Sequence, residues 1–323
     1  MSMGKLVSAP LFGEEEGSLL DRRPPSWQSR CIVGLLRLLR AKRRLASAAA
    51  VQERVRELVL HPDPYTPTGL GSGIEATMER STAGWPLYRL ARAGQGDTGD
   101  YLVFLHGGGF INEIVRAHWK FVADLTRRAG VRCIVPIYPL APGATARELV
   151  PATGELLRTI MENAGTARVI VSGNSAGAAL ALAASQWLKA AGQRVPSALV
   201  LVSPGGDFSV SRPEQAAIAA QDPLLDIPGS REMGRQFAGG LDVSHPYVSP
   251  LNGDFHGLPP ITIFSGTRDL FYPDSVAMAA KARAAGVPAK LHLRRGQPHN
   301  YAAMPTPEGR QAREAILRVL AGD

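Results

Sequence analysis

The sequence predicts an α/β fold in which helices cover both faces of an open, mainly parallel, doubly wound sheet. Beyond residue 73, short runs rich in Val, Ile and Leu alternate with longer segments of helical periodicity. Most of these runs are apolar throughout, which is typical of strands buried on both faces of a sheet. The chain has 323 residues, of which 45% are apolar and 20% charged, so its composition is that of an ordinary globular protein.

Each element follows from its own pattern. Strands are predicted at residues 85–91, 101–105, 132–138, 168–172, 198–203, 261–265 and 289–293. Helices are predicted at residues 117–129, 146–163, 176–191, 274–285 and 308–320. Side chains that follow these strands should therefore meet at the carboxyl edge of the sheet.

One segment interrupts the alternation. Between residues 206 and 245 no strand is predicted, while residues 213–220 and 229–237 have the pattern of short helices. An insertion after the carboxyl end of a strand falls on the rim where open α/β sheets bind ligands. The segment is therefore predicted to form a lid or cap.

The net charge of +8 is concentrated in one N-terminal stretch. Residues 22–56 carry ten basic side chains and one acidic side chain, whereas the rest of the chain carries 26 basic and 27 acidic ones. On a helical wheel, arginines occupy one sector and apolar side chains the opposite one. The arginines are Arg30, Arg37, Arg40 and Arg44, and the apolar residues are Cys31, Ile32, Leu35, Leu38 and Leu39.

Two interpretations of this amphipathic segment are open. It can form half of a cap, with its apolar face over a site and its arginines in solvent, or it can lie on a membrane surface through residues 30–45. The cap is favoured, because it explains the apolar face without a partner. Nucleic-acid binding is less favoured still, because no recognition fold accompanies the charge.

The sequence also indicates the cellular compartment in which the protein is expected. Residues 1–20 hold one lysine and an acidic triplet at 14–16, without the apolar core and cleavage site of a signal peptide. The longest apolar run, residues 31–39, is too short to cross a bilayer. Cys31 and Cys133 show no metal-site or disulfide spacing. We therefore expect a cytoplasmic protein without a cysteine-bound metal.

A candidate nucleophile stands in the segment Gly173-Asn174-Ser175-Ala176-Gly177, which fits the pattern G-x-S-x-G. By itself the pattern is weak evidence for a nucleophile. Here, however, an apolar predicted strand leads into it and an Ala/Leu-rich predicted helix follows it. Such a strand-to-helix turn holds the serine in a strained conformation, and this requires small neighbours. Ser175 is the predicted nucleophile.

A glycine loop, His106-Gly107-Gly108-Gly109-Phe110, follows the strand at 101–105. Consecutive glycines let backbone N–H groups point inward, where two donors can stabilise an oxyanion. Phosphate binding is disfavoured, because neither the GxxxxGK[ST] nor the GxGxxG pattern is present in this loop. His106 is expected to be a structural hydrogen-bonding residue.

A base and an orienting carboxylate are predicted after the last two strands. His299 follows the strand at 289–293, and Asp269 follows the strand at 261–265. Asp274 is the lesser candidate, because it suits the N-cap of the next helix. The order Ser175, Asp269, His299 is the order of the Ser, Asp and His residues in α/β-hydrolases.

These motifs resemble the hormone-sensitive-lipase-like family of α/β-hydrolases, esterases marked by an HGGGF loop. The resemblance covers residues of about 75 to 320 and includes residues 138–142, 248–251 and 257–260. It implies a single α/β-hydrolase domain with a sheet of about eight strands. Cap elements would lie at about residues 1–70 and 206–245, and the catalytic core at about residues 75–205 and 246–323.

The resemblance further implies a small-molecule substrate, an ester with a short to medium acyl chain, and no cofactor or metal. The oxyanion hole would be formed by Gly107, Gly108 and the N–H of Ala176. The chain departs from the family at Asn174, where Asp is usual, at Ala178, where Gly is usual, and at Pro139, where Arg is common. None of these departures removes a reacting group.

Other functions remain as alternatives. A lactone or amide hydrolase would use the same triad, and a ligand-binding member of the fold would lack the serine or histidine, which are both present. A homodimer is possible, because the strand at 289–293 could lie at an edge and pair between subunits.

Overall fold

The computed structural model describes residues 18–96 and 99–322. Nine strands form one sheet in the order β1-β9-β8-β7-β6-β4-β5-β3-β2. The strands are β1 Ser18–Asp21, β2 Ile74–Arg80, β3 Pro86–Arg92, β4 Tyr101–Leu105, β5 Arg132–Pro136, β6 Val169–Asn174, β7 Ala198–Val202, β8 Ile261–Gly266 and β9 Ala289–Arg294. β3 is antiparallel to β2 and β5, and every other pairing is parallel, so the predicted α/β class is confirmed.

Helices lie on both faces of the sheet. They are α1 Trp27–Leu38, α2 Ala48–Leu60, α3 Arg116–Ala129, α4 Ala146–Ala164, α5 Ala176–Ala190, α6 Gln215–Ala219, α7 Ile227–Ala238, α8 Tyr272–Ala284 and α9 Pro307–Ala321. Short 3₁₀ turns occupy Ala41–Leu45, Pro250–Asn252 and Tyr301–Ala303. The seven predicted strands and the predicted helices agree with these bounds to within two residues at each end.

The central strands divide the core into two apolar layers. Successive side chains of a strand point to opposite faces, so alternate residues enter different layers. Leu102 and Phe104 of β4 lie in one layer, whereas Val103 and Leu105 lie in the other. Burying each such side chain stabilises the fold by about 1.5–3 kcal/mol. Because both faces of these strands are buried, their sequences are continuous apolar runs.

Two strands were not predicted. In β2 no residue is buried, because the strand forms the outer edge beside β3 and has a mostly polar sequence. β1 has only four residues and pairs in parallel with Leu291–Arg294 of β9. Neither strand has the apolar pattern that marks the central strands.

The position of β1 changes the expectation for assembly. β9 lies between β1 and β8, so residues 289–293 do not form a free edge. The expectation that residues 289–293 form an edge strand, free to pair between subunits, is therefore wrong. β1 provides the backbone hydrogen bonds that a second subunit would have supplied.

A buried polar network anchors the chain between β1 and α1. Ser26 donates from its backbone N–H and its hydroxyl to the carboxylate of Glu308, at 2.6 and 2.8 Å. Arg294 lies 3.7 Å from the same carboxylate and 3.1 Å from Asp21. Since Glu308 is only 2% exposed, these bonds compensate for burying its charge. The network fixes the start of α1 against α9 and β9.

The amphipathic segment is not one continuous helix. α1 ends at Leu38, and Arg40 has a left-handed backbone conformation with φ 52°, so a separate 3₁₀ turn leads into α2. α2 packs against α7 and buries Val51, Val55 and Leu58. The arginines beyond residue 39 therefore do not continue the face of α1.

The apolar face of α1 is turned the opposite way from the prediction. The residues that α1 buries are Ser29 and Val33, whereas Leu35, Leu38 and Leu39 are 53%, 79% and 67% exposed. The expectation that this face covers a site is therefore wrong. Polar hydrogen bonds, rather than the apolar face, decide how α1 docks. Within the described ranges no helix is long and apolar enough to cross a membrane.

Candidate active site

Ser175 stands at the turn between β6 and α5 with φ 54° and ψ −121°. This conformation is costly for a residue with a side chain, so the surrounding structure must enforce it. A Cβ atom at Gly173 would collide with the backbone of Gly177, and one at Gly177 would collide with the carbonyl oxygen of Leu105. The glycines therefore let β4, β6 and α5 approach closely enough to hold the turn.

The structure brings the three predicted residues together at the carboxyl edge of the sheet. Nε2 of His299 lies 2.9 Å from Oγ of Ser175, and Nδ1 lies 2.8 Å from Oδ1 of Asp269. Ser175 follows β6, Asp269 follows β8 and His299 follows β9. His299 is 4% exposed and Asp269 is fully buried, so the hydrogen bonds are shielded from water. This chain of contacts can pass a proton from the serine hydroxyl to the imidazole.

The charges around His299 favour its protonated form. Burial by itself lowers the pKa of the imidazole, but the neighbouring carboxylate of Asp269, its hydrogen bond and the charge of Asp222 raise it. The net effect is a pKa above the ordinary value for histidine. A histidine in this setting is a stronger base and stabilises the imidazolium that forms during proton transfer.

Asp222 is a candidate site residue that the sequence did not reveal. It belongs to the insertion, is only 3% exposed, and accepts hydrogen bonds from the N–H groups of Leu224, Leu225 and Leu270. Burial and the charge of Asp269 raise its pKa to about 6. Asp222 therefore links the insertion to the turn that carries Asp269. No local pattern signals this role, because it depends on an approach between segments 48 residues apart.

The glycine loop offers backbone donors beside Ser175. Gly107, assigned to the oxyanion hole by the family resemblance, donates its N–H to Oδ1 of Asn174 at 2.8 Å. Across the described residues, the N–H groups of Gly108, Gly109 and Ala176 donate no hydrogen bond. Gly108 and Gly109 have φ 135° and 65°, a region that favours glycine. In the described residues, the free donors of the glycine loop are thus those of Gly108 and Gly109, and Ala176, which follows Ser175 in the chain, adds a third.

Two histidines, His106 fully buried and His118 half-buried, support this loop. His106 stacks on Tyr138 at 4.4 Å between ring centroids, and its Nδ1 lies 2.8 Å from the carbonyl oxygen of Gly107. His118 lies 3.2 Å from the side-chain amide of Asn174. Burial lowers the pKa of His106 to about 4 and that of His118 to about 3, so both are neutral at pH 7. His106 thus has the hydrogen-bonding environment expected for it.

The remaining candidates lie outside the hydrogen-bonded group. Asp274 is in the first turn of α8 and not at its N-cap, which is Phe271. It accepts from the N–H groups of Gly206 and Asp207 and from Arg212. It therefore holds the loop after β7. His292 stacks on Phe264, His245 accepts from the N–H of Tyr247, and His256 lies 2.8 Å from a carboxylate oxygen of Asp254.

Four aromatic side chains form a wall that reaches from the glycine loop to His299. Phe271 lies 5.9 Å from the ring of His299, and Phe208 lies 5.6 Å from Phe271. Phe110, at the end of the glycine loop, stacks on Phe237 of α7 at 3.6 Å. None of the four rings is more than 2% exposed. The wall between the glycine loop and the histidine is therefore apolar and tightly packed.

Comparison with known proteins identifies the fold family of the chain. A family model described as alpha/beta hydrolase fold matches residues 102–303. A triacylglycerol lipase of Mycobacterium tuberculosis is 36% identical over 213 residues, 66% of this chain and 44% of the lipase. An acetyl-hydrolase of Streptomyces hygroscopicus is 31% identical over 261 residues, 79% of this chain and 85% of that protein. The chain thus spans less than half of the first relative and most of the second.

A solved structure extends the match to the whole fold. The crystal structure of an esterase from the bacterial hormone-sensitive lipase family has a TM-score of 0.79 and 25% identity. The alignment covers 92% of this chain and 98% of that one. The chain belongs to the α/β-hydrolase fold family and, within it, to the hormone-sensitive-lipase-like group.

Proposed function

We propose that the chain is a serine carboxylic-ester hydrolase that acts on short- to medium-chain acyl esters through an acyl-enzyme intermediate. The observation that carries the proposal is the continuous hydrogen-bonded arrangement of Ser175, His299 and Asp269 at the sheet edge. The glycine loop, which contacts Asn174 beside this arrangement, has N–H groups that donate no hydrogen bond within the described residues. A nucleophile, a base, an orienting carboxylate and oxyanion donors are the parts that ester hydrolysis requires.

The mechanism follows from the positions of these groups. Oγ of Ser175 attacks the ester carbonyl while His299 takes its proton through Nε2. The N–H groups of Gly108, Gly109 and Ala176 stabilise the oxyanion of the tetrahedral intermediate. His299 then gives the proton to the leaving alcohol, and Asp269 holds the imidazole in the required orientation. Water, activated by the same histidine, hydrolyses the acyl-enzyme and restores the serine.

We further propose that α2 and the insertion at residues 206–245 form the cap over this site. Val51 and Val55 of α2 share one core cluster with Phe110, Phe208 and Phe237. Arg54 of α2 donates to the side chain of Asn112, which follows the glycine loop, at 3.0 Å. The aromatic wall inside this cap suits a short apolar acyl group, and the relative named acetyl-hydrolase supports that size class.

Replacing the nucleophile tests the proposal directly. We expect Ser175→Ala to reduce kcat for p-nitrophenyl butyrate by a factor of about 10⁶, because the acyl-enzyme can no longer form. Ser172→Ala is the matched control. The hydroxyl of Ser172 is buried in β6, the strand that leads to Ser175, and it has no hydrogen-bond partner in the described part of the chain. The control should retain activity. Activity near wild type in folded Ser175→Ala protein, judged by circular dichroism, would contradict the assignment.

The dependence of kcat/KM on acyl-chain length tests whether the aromatic wall limits the size of the acyl group. With p-nitrophenyl esters from C2 to C16, we expect kcat/KM to fall by at least about tenfold beyond medium chain lengths, because the aromatic wall excludes longer chains. Phe208→Leu should move the optimum to longer chains. Phe255→Leu, which changes an equally buried phenylalanine that contacts Lys281, should leave the optimum unchanged. An identical shift in both variants would show that the wall does not set chain length.

The pH dependence tests the role of Asp222 as a positioning residue. Its charge raises the pKa of His299, and the base works only when the imidazole is neutral. Asp222→Asn should therefore lower that pKa and move the acid limb of the kcat/KM profile to lower pH. Asp226→Asn, in the same insertion but partly exposed, is the control and should leave the limb in place. A loss of kcat without any shift of the limb would mean that Asp222 acts only on structure.

A further inference from the structure

α1 presents an apolar stripe to solvent. Trp27, Cys31, Leu35 and Leu38 follow one another at helical intervals of four, four and three residues, so they share one face. Each of them is exposed, Trp27 by 65% and Leu38 by 79%, and Leu39 extends the stripe at the helix end. Single exposed apolar residues are ordinary, but a contiguous stripe marks an interaction surface.

Arginines without an ion-pair partner in the described residues lie on α1 and in the turn that follows it. Arg30, Arg37, Arg40, Arg43 and Arg44 are all exposed, and within the described residues none of them forms an ion pair. Residues 22–52 contain no acidic residue at all. Arg30 and Arg37 flank the stripe along one side of α1. The surface, which we call the α1 face, therefore combines apolar side chains with uncompensated positive charge.

α1 packs against segments of the candidate active site through the side opposite the α1 face. The hydroxyl of Ser29, on the opposite side of α1, donates to the side chain of Gln297 at 2.9 Å, two residues before His299. Arg37 donates to the carbonyl oxygen of Gln221 at 3.1 Å, and Gln221 precedes Asp222. A surface bound to the α1 face would thus contact a helix that itself packs on the insertion and on the histidine loop.

We propose that the α1 face docks the protein on an anionic phospholipid surface. Arginines attract anionic headgroups, and the Trp and Leu side chains can bury in the boundary between headgroups and acyl chains. A second copy of the chain suits the face less well, because it would bring two rows of arginines together. Nucleic acid would leave the apolar stripe exposed. The inference concerns docking alone and goes beyond the proposed function.

Vesicle co-sedimentation tests docking separately from hydrolysis. We expect full-length Ser175→Ala protein to sediment with phosphatidylcholine vesicles that contain phosphatidylglycerol, but not with phosphatidylcholine alone. At about 50 mM NaCl binding should be strong, and at about 500 mM it should be largely lost, because salt screens the arginines. Trp27 emission should shift to the blue on binding, and the shift should be absent in Trp27→Phe. Because the protein tested is catalytically inactive by design, failure to bind leaves the hydrolase assignment untouched.

A matched pair of variants locates the surface. Leu35→Asp/Leu38→Asp should weaken vesicle binding by at least about tenfold, since the leucines no longer insert. Met78→Asp/Val115→Asp adds the same charge at two exposed apolar positions outside α1 and should reduce binding far less. In the active background, both pairs should hydrolyse soluble p-nitrophenyl butyrate at the wild-type rate, which shows that they are folded.

Three results would overturn the proposal. The first is no binding to either vesicle type by the folded full-length protein. The second is an equal loss of binding in both pairs of variants, which would show a general charge effect. The third is a dimer, measured by analytical ultracentrifugation, that Leu35→Asp/Leu38→Asp converts to a monomer, which would assign the α1 face to a second copy of the chain.

Discussion

The strained turn at Ser175 is the constraint on which the rest of the site depends. The positive φ of this residue lifts its hydroxyl out of the line of β6 and toward the loops that follow β8 and β9. The turn persists because the glycines on either side let a helix and two strands meet without side chains between them. Once Ser175 is fixed in this way, a histidine after β9 and an aspartate after β8 are within reach, since parallel strands end at the same edge. The fold therefore supplies the geometry, and the loops supply the reacting groups.

Much of this arrangement could be predicted from the sequence because it depends on local patterns. The central strands are apolar on both faces, and they were predicted to within two residues. Ser175, Asp269 and His299 each follow such a strand, so their meeting at one edge is a consequence of strand order. β1 and β2 escaped prediction because short or polar strands are defined by their pairing partners and not by their own composition.

The features that were missed arise from contacts between distant segments. Asp222 acts on the turn of Asp269 only because the insertion folds back across the sheet edge. The N–H of Gly107 donates a hydrogen bond to the side chain of Asn174, the residue that stands where aspartate is common in the family. It is therefore not free to bind an oxyanion. The orientation of α1 is the clearest case. A helical wheel identifies two faces but not the one that packs, and here Ser26 and Ser29 decide it through bonds to Glu308 and Gln297. The positive charge that sets the N-terminal stretch apart thus borders an exposed apolar helix beside the site.

The central proposal is that Ser175 is an activated nucleophile. Labelling with diisopropyl fluorophosphate tests it, because this reagent phosphorylates a serine hydroxyl whose proton is taken by a neighbouring base. Peptide mass spectrometry should find one phosphoryl group per chain, on Ser175, with hydrolytic activity lost in proportion to labelling. An unlabelled protein, or a label on another serine such as the buried Ser203 while Ser175 stays unmodified, would contradict the account.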